Sequence, residues 1–72
     1  MTRTQYENYF DEATKIADTM LGMTMREVKL SKEFDRAERN ELRRQHSKLF
    51  EAYWNANFPA IPTGWLYATA EH

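Results

Sequence analysis

The chain has no cysteine, only two glycines and two prolines, and almost no net charge. Without cysteine it can form neither a disulfide nor a cysteine-ligated zinc site, so neither can supplement a small core. Ten Lys and Arg residues against eleven Asp and Glu residues give a formal net charge of −1, which disfavours nucleic-acid binding through bulk charge. We find no signal peptide, lipidation motif or apolar run long enough to span a membrane, so we expect a cytoplasmic protein with no membrane partner.

The chain is short, with 72 residues and a mass of 8.6 kDa. Folded-area scaling lets a chain of this size bury only about 60% of its unfolded surface, so residues 1–72 predict one small domain of marginal stability. Oligomerisation is the usual remedy where disulfides and metals are absent. We therefore expect a homodimer.

Glycine and proline are unevenly placed as well as few. Pro59, Pro62 and Gly64 all follow Phe58, which leaves Gly22 as the only residue of either type before Phe58. Because these residues are the main interrupters of helices, the distribution predicts an all-α fold. We expect a small helical hairpin made of a first helix, a short linking helix and a long third helix, followed by an extended aromatic C-terminal arm.

The first helix is predicted over about residues 4–21. Thr4 and Glu7 fit the Thr-x-x-Glu capping box, and Gly22 marks the end because glycine adopts the left-handed conformation that follows many helices. Charged positions of this segment, including Asp11 and Asp18, form the face that we expect to be solvated. The apolar positions recur at the spacing of one helical stripe: Tyr6, Tyr9, Phe10, Ala13, Ile16, Ala17, Met20 and Leu21.

A second capping box, from Thr24 to Glu27, predicts a short helix over about residues 25–30. The alternating segment Val28-Lys29-Leu30 leaves a strand open as the alternative.

The long helix is predicted over about residues 32–57. Ser31 is a plausible N-cap, and Pro59 ends the helix because proline disfavours the α conformation in the residue before it. Residues 58–72 form the predicted arm. Its large apolar side chains require a surface to pack on, and this surface belongs either to the same chain or to a second subunit.

The segment Leu21-Gly22-Met23-Thr24, with Ala17 one turn earlier and Val28 after it, resembles the centre of a repressor-type helix-turn-helix. The resemblance covers about 16 residues, and it departs from the motif at Asp18, where a small buried residue is expected. In a DNA complex it implies that the side chains facing the groove and phosphates are Arg26, Lys29 and Lys32. A plain helical hairpin with a Gly22 turn is the alternative interpretation.

Aromatic and basic residues concentrate in the second half of the chain. The aromatic set offers more surface than a chain of this length readily encloses, and such side chains concentrate at the centres of interfaces. Cations on the long helix offer a second surface, although acidic residues interleave with them. The candidate residues for a protein-binding or dimer interface are Tyr9, Phe50, Tyr53, Trp54, Trp65, Tyr67, Arg36 and Arg43.

Little in the sequence indicates catalysis. His46 is the only histidine before the terminal residue, and no second histidine or glutamate lies at metal-ligand spacing from it. No glycine-rich phosphate loop is present, and a chain this small has little room for a ligand pocket. We therefore expect no enzymatic activity, no catalytic residues, no metal, no cofactor and no small-molecule ligand.

The function most consistent with these features is that of a small, non-enzymatic, protein-binding modulator acting as a helical homodimer. We expect an inhibitor of a host or regulatory protein, and its size would suit a protein encoded by a phage or other mobile element. The alternative is a helix-turn-helix transcriptional regulator that binds DNA around Gly22-Met23-Thr24.

Overall fold

The computed structural model describes residues 1–65, which contain three helices and no strand. Helix α1 spans Arg3–Leu21, α2 spans Met25–Leu30 and α3 spans Arg36–Asn57. The predicted all-α fold is therefore confirmed, and the segment for which a strand was the alternative is helical. None of these helices is both long enough and apolar enough to cross a membrane.

The N-cap of helix α1 lies two residues earlier than the sequence pattern predicted. Its N-cap is Thr2, whose hydroxyl accepts a hydrogen bond from the Gln5 N–H while the Gln5 side chain accepts one from the Thr2 N–H. The predicted capping box at Thr4 is wrong because Thr2 and Gln5 cap a helix that starts earlier, which places Thr4 inside α1. The end of the helix is confirmed, since Gly22 adopts the left-handed conformation with φ of 87°.

Helix α3 begins later than predicted, at Arg36. Ser31 does not cap it but ends α2, where its N–H donates to the Glu27 carbonyl oxygen at 2.9 Å. The N-cap is Asp35, which exchanges hydrogen bonds with Glu38 in a complete capping box. The predicted start at Lys32 is wrong because a start at Arg36 gives two capping hydrogen bonds. The Asp35 carboxylate accepts one from the Glu38 N–H, and the Glu38 side chain accepts one from the Asp35 N–H.

Helices α1 and α3 run antiparallel and form most of the tertiary contact. Three pairs set the direction: Tyr6 with Trp54, Phe10 with Phe50, and Asp18 with His46. The buried cluster between them consists of Tyr6, Ala13 and Trp54, flanked by half-buried aromatic side chains. Ala17 and Val28 are also fully buried.

The first eight residues of the predicted arm fold back onto the same chain. Their path includes two hydrogen-bonded turns, in which the Ile61 N–H donates to the Phe58 carbonyl and the Trp65 N–H to the Pro62 carbonyl. The arm is thus ordered over residues 58–65 but less extended than expected. Two side chains hold it: the Trp54 indole donates to the Ile61 carbonyl at 2.6 Å, and the Tyr6 hydroxyl donates to the Thr63 carbonyl. The remainder of the arm, with Tyr67, lies outside the described residues.

Candidate functional site

A hollow of about 330 Å³ opens on one flank of the helical hairpin. Helix α1 contributes a phenylalanine and a threonine, α3 contributes most of the other lining groups, and the folded-back arm contributes one residue. We call it the aromatic hollow, and its lining residues are Phe10, Thr14, His46, Ser47, Phe50, Glu51 and Thr63. A chain this short was expected to have little room for a ligand pocket; here Thr63 of the folded-back arm adds to the lining that α1 and α3 provide.

Two phenylalanines provide the apolar part of the aromatic hollow. The ring centroids of Phe10 and Phe50 lie 4.9 Å apart at an angle of 55°. Phe50 is half-buried, whereas Phe10 remains 42% exposed and offers an aromatic surface at the rim. The hollow therefore offers both an apolar wall and an accessible ring.

The polar part of the aromatic hollow comes from hydroxyl groups, a carboxylate and an imidazole. The Thr14 hydroxyl already donates to the Phe10 carbonyl at 2.8 Å, within its own helix. Ser47 and Glu51 are exposed on α3. A ligand that enters here meets groups able to accept and to donate hydrogen bonds beside the two rings.

His46 and Asp18 form a pair that the sequence pattern did not predict. His46 Nε2 lies 2.8 Å from Asp18 Oδ1, and the two side chains are only 11% and 20% exposed. The assignment of Asp18 to a solvated face is therefore wrong: antiparallel packing brings it against a histidine 28 residues away. A carboxylate in this position orients the imidazole ring that lines the hollow.

The Asp18–His46 pair alone does not make a catalytic site. A nucleophile activated by this histidine would lie within hydrogen-bond reach of the ring. Ser47 lines the same hollow, but within residues 1–65 the hydrogen bond of His46 is with Asp18. In the same range, no group of three or more His, Cys, Asp or Glu side chains is arranged to hold a metal ion.

The predicted basic residues lie on the face of α3 that also carries Ser47 of the aromatic hollow. Arg36 and Arg43 are both exposed on α3. Positions 36, 40, 43 and 47 recur at four- and three-residue spacings and therefore share a face of the helix. Because Ser47 lines the hollow, Arg43 stands about one helical turn from it on this face, whereas Arg36 lies about 16 Å from Ser47 along the helix.

The predicted interface aromatics do not form one surface. Trp54 is fully buried in the core of its own chain. Phe50 lines the aromatic hollow, and the half-buried Trp65 stacks on Tyr6 with centroids 5.5 Å apart. Tyr9 and Tyr53 lie elsewhere, where both contact the ring of Phe58.

Tyr53 lies on the flank of the hairpin opposite the aromatic hollow. Partial burial and the nearby Glu12 carboxylate raise the pKa of Tyr53 above its ordinary value. The aromatic candidates are thereby divided among the core and two opposite flanks.

The residues of the helix-turn-helix interpretation are arranged partly as that motif requires. Ala17 and Val28 are fully buried, and Gly22 is left-handed. The cations Arg26, Lys29 and Lys32 are all exposed. However, α2 has only six residues, fewer than two helical turns.

Residue types alone did not identify Thr14, Ser47, Glu51 or Thr63 of the aromatic hollow, nor the Asp18 that bonds His46. None carries a local motif. Only the spacing of Phe10, Thr14 and Asp18, four residues apart along α1, could have shown that they share a face.

Comparison of the chain with protein-family models, with curated proteins and with solved structures found no match in any of the three.

Proposed function

We propose that this chain is a small, non-enzymatic, protein-binding modulator that inhibits a host or regulatory protein and acts as a homodimer. The observation that carries the proposal is the aromatic hollow, with the exposed ring of Phe10 at its rim. Protein interfaces concentrate their binding energy where a side chain of one partner fills a pocket of the other. A hollow of about 330 Å³ matches that use.

The basic face of α3 supplies the polar edge of the same surface. Arg43, about one helical turn from Ser47, and Arg36 farther along the same face are both exposed, and charged groups near a binding site steer association and set partner preference. We therefore propose a partner that inserts one apolar or aromatic side chain and presents acidic groups around it.

The test is capture of a partner by the tagged chain from a lysate of its source cells. Ser47→Trp should block the aromatic hollow from an exposed position and reduce capture at least tenfold, equivalent to about 1.4 kcal/mol. Asn55→Trp adds the same bulk at an exposed position of α3 that does not line the hollow, and it should leave capture unchanged. Circular dichroism should show that both variants are as helical as the parent.

Equal capture by the two tryptophan variants would overturn the hollow as the binding site. Arg43→Glu provides a second measurement, because reversing a rim charge should slow association and change its salt dependence.

A DNA-binding regulator is the second candidate, favoured by the left-handed Gly22 and the exposed cations around α2. Under this hypothesis Arg26→Ala and Lys29→Ala should weaken binding to a mixed-sequence duplex, and affinity should fall steeply with salt. Absence of duplex binding at low salt would remove this candidate. Capture that survives nuclease treatment would favour the protein-binding proposal.

A further inference from the structure

The flank opposite the aromatic hollow carries apolar side chains that the chain itself leaves incompletely covered. On α1 these are Ile16, which is half-buried, and Met20, which is 64% exposed. On α3 they are Leu42 and Leu49, both half-buried. None of the four belongs to the aromatic cluster around Tyr6 and Trp54. We call this surface the second flank.

Aromatic side chains cover the second flank at one end, near the arm, and leave the other end, near α2, uncovered. Toward the arm, Phe58 stacks on Tyr9 with centroids 4.6 Å apart and meets Tyr53 edge-on at 6.3 Å. Toward α2 the surface continues into a hollow of about 390 Å³, which Phe34 and Leu42 line together with Ala37, Glu38 and Glu41. The open part of the flank is therefore apolar, with acidic groups along its edge.

Helix α3 presents a regular row on this flank. Positions 42, 45, 49 and 52 recur at three- and four-residue spacings, the pattern by which one helix packs along another. Leucines stand at two of these positions, Gln45 stands between them, and Ala52 is small enough for close approach. Glu41 and Lys48 are exposed beside the row.

The charges beside this row, Glu41 and Lys48, are complementary to the same charges on a second copy that runs in the opposite direction. Within its own chain Glu41 accepts a hydrogen bond from the Gln45 amide at 3.2 Å and forms an exposed ion pair with Arg44 at 2.5 Å. The Gln45 amide and the Arg44 and Lys48 cations lower the pKa of Glu41 below its ordinary value. Glu41 and Lys48 are seven residues apart, as are Leu42 and Leu49. A two-fold axis near Gln45 would therefore bring opposite charges together and leucine against leucine in the same arrangement.

We infer that the second flank is the self-association surface, on which a second copy of this chain packs antiparallel through α3. Leu42 contacts Leu49 of the second copy, and Glu41 faces Lys48 of the second copy. Each contact occurs twice, as an isologous interface requires. A second copy suits this surface because an antiparallel arrangement pairs leucine with leucine and each charge with the opposite charge.

The arrangement has a consequence for the binding surface. The aromatic hollow lies on the opposite flank of the hairpin, so each protomer keeps it open after association. The dimer then presents two identical sites and could engage a partner that is itself dimeric with increased avidity. This inference rests on the proposed homodimer and identifies the face that forms it.

The test is the native mass of the full chain across a concentration series, measured by analytical ultracentrifugation. The parent chain should approach twice 8.6 kDa. Lys48→Glu replaces the two attractions between Glu41 and Lys48 of the other copy with two repulsions between carboxylates. The dimer dissociation constant should rise about tenfold or more. Combining Lys48→Glu with Glu41→Lys restores opposite charges across the axis and should recover most of the loss. Lys29→Glu, a matched change on α2, should have no effect.

Cross-linking provides a second measurement because the chain has no cysteine of its own. Gln45→Cys places a single thiol near the axis and should give a covalent dimer with a short bis-maleimide, whereas Asn55→Cys should not.

A parent chain that stays monomeric would overturn both the homodimer and this inference. A dimer that Lys48→Glu leaves intact and that does not cross-link at position 45 would overturn the assigned face alone. Partner capture by Ser47→Trp is a separate measurement. A failure of the aromatic hollow as the binding site can therefore be distinguished from a monomeric parent chain and from a dimer that uses another face.

Discussion

At the scale of single residues, Trp54 contributes most to the enclosed core. It is fully buried, its indole N–H bonds the Ile61 carbonyl, and its ring meets those of Tyr6 and Phe58 at 5.5 and 5.0 Å. Among the other large side chains of residues 1–65, only Val28 is as completely enclosed. The same residue thus joins α1, α3 and the arm.

We predict that Trp54→Ala lowers the free energy of unfolding by about 3–5 kcal/mol, because it removes a large buried ring and leaves a cavity. For a chain this small, that loss is a large fraction of the total stability. Urea titration followed by circular dichroism measures the effect. Trp54→Phe keeps much of the apolar contact but leaves the Ile61 carbonyl without the indole donor, so its loss should be intermediate. Near-parental stability of Trp54→Ala would contradict this account of the core.

At the scale of elements, each helix begins where a side chain can satisfy its first N–H groups. Thr2, Thr24 and Asp35 each accept a hydrogen bond from the N–H three residues ahead, at 3.1, 3.1 and 2.8 Å. The carboxylate of Asp35 also lies at the positive end of the α3 dipole. Local side-chain chemistry therefore sets the bounds of the helices.

We predict that Asp35→Ala lowers the free energy of unfolding by about 1 kcal/mol, the usual loss when an N-cap is removed. Ser31→Ala should cost less, because the Ser31 hydroxyl accepts only a longer bond from the Glu33 N–H, at 3.2 Å, outside α3. Comparison of the two variants by urea titration tests where α3 starts. A larger loss in Ser31→Ala would favour the earlier start.

At the scale of the whole molecule, the hairpin is a single layer of two long helices with a small core. Within residues 1–65 the fully enclosed apolar residues are few, namely Tyr6, Ala13, Ala17, Val28 and Trp54. A single helical layer leaves one flank open unless another element covers it. Here residues 58–65 cover part of the flank that holds the aromatic hollow, whereas the apolar row of the second flank stays uncovered.

We predict that the thermal midpoint of unfolding rises with protein concentration. Association that requires the folded chain stabilises it by mass action, and this contribution grows with the concentration of the second copy. Scanning calorimetry over a hundredfold dilution measures the effect, and Lys48→Glu should reduce the slope. A midpoint independent of concentration would indicate that the monomer alone accounts for the measured stability.

The sequence alone determined the helical class and several helix ends. Gly22 ends α1 because only glycine adopts the left-handed conformation without steric cost, and Pro59 limits α3 to residues before Phe58. These features depend on interactions within a few residues, so local patterns predict them. Where two capping residues compete, as Ser31 and Asp35 do, the local pattern alone chose the wrong one.

Only the tertiary structure decided which side chains come together. The Asp18–His46 pair, the enclosure of Trp54 and the aromatic hollow all depend on the antiparallel packing of α1 against α3 and on the return of residues 58–65. An aromatic residue at helical spacing has the same local pattern whether it is buried, lines a hollow or faces a partner. What separates these outcomes is contact between residues distant in sequence, which no local spacing specifies.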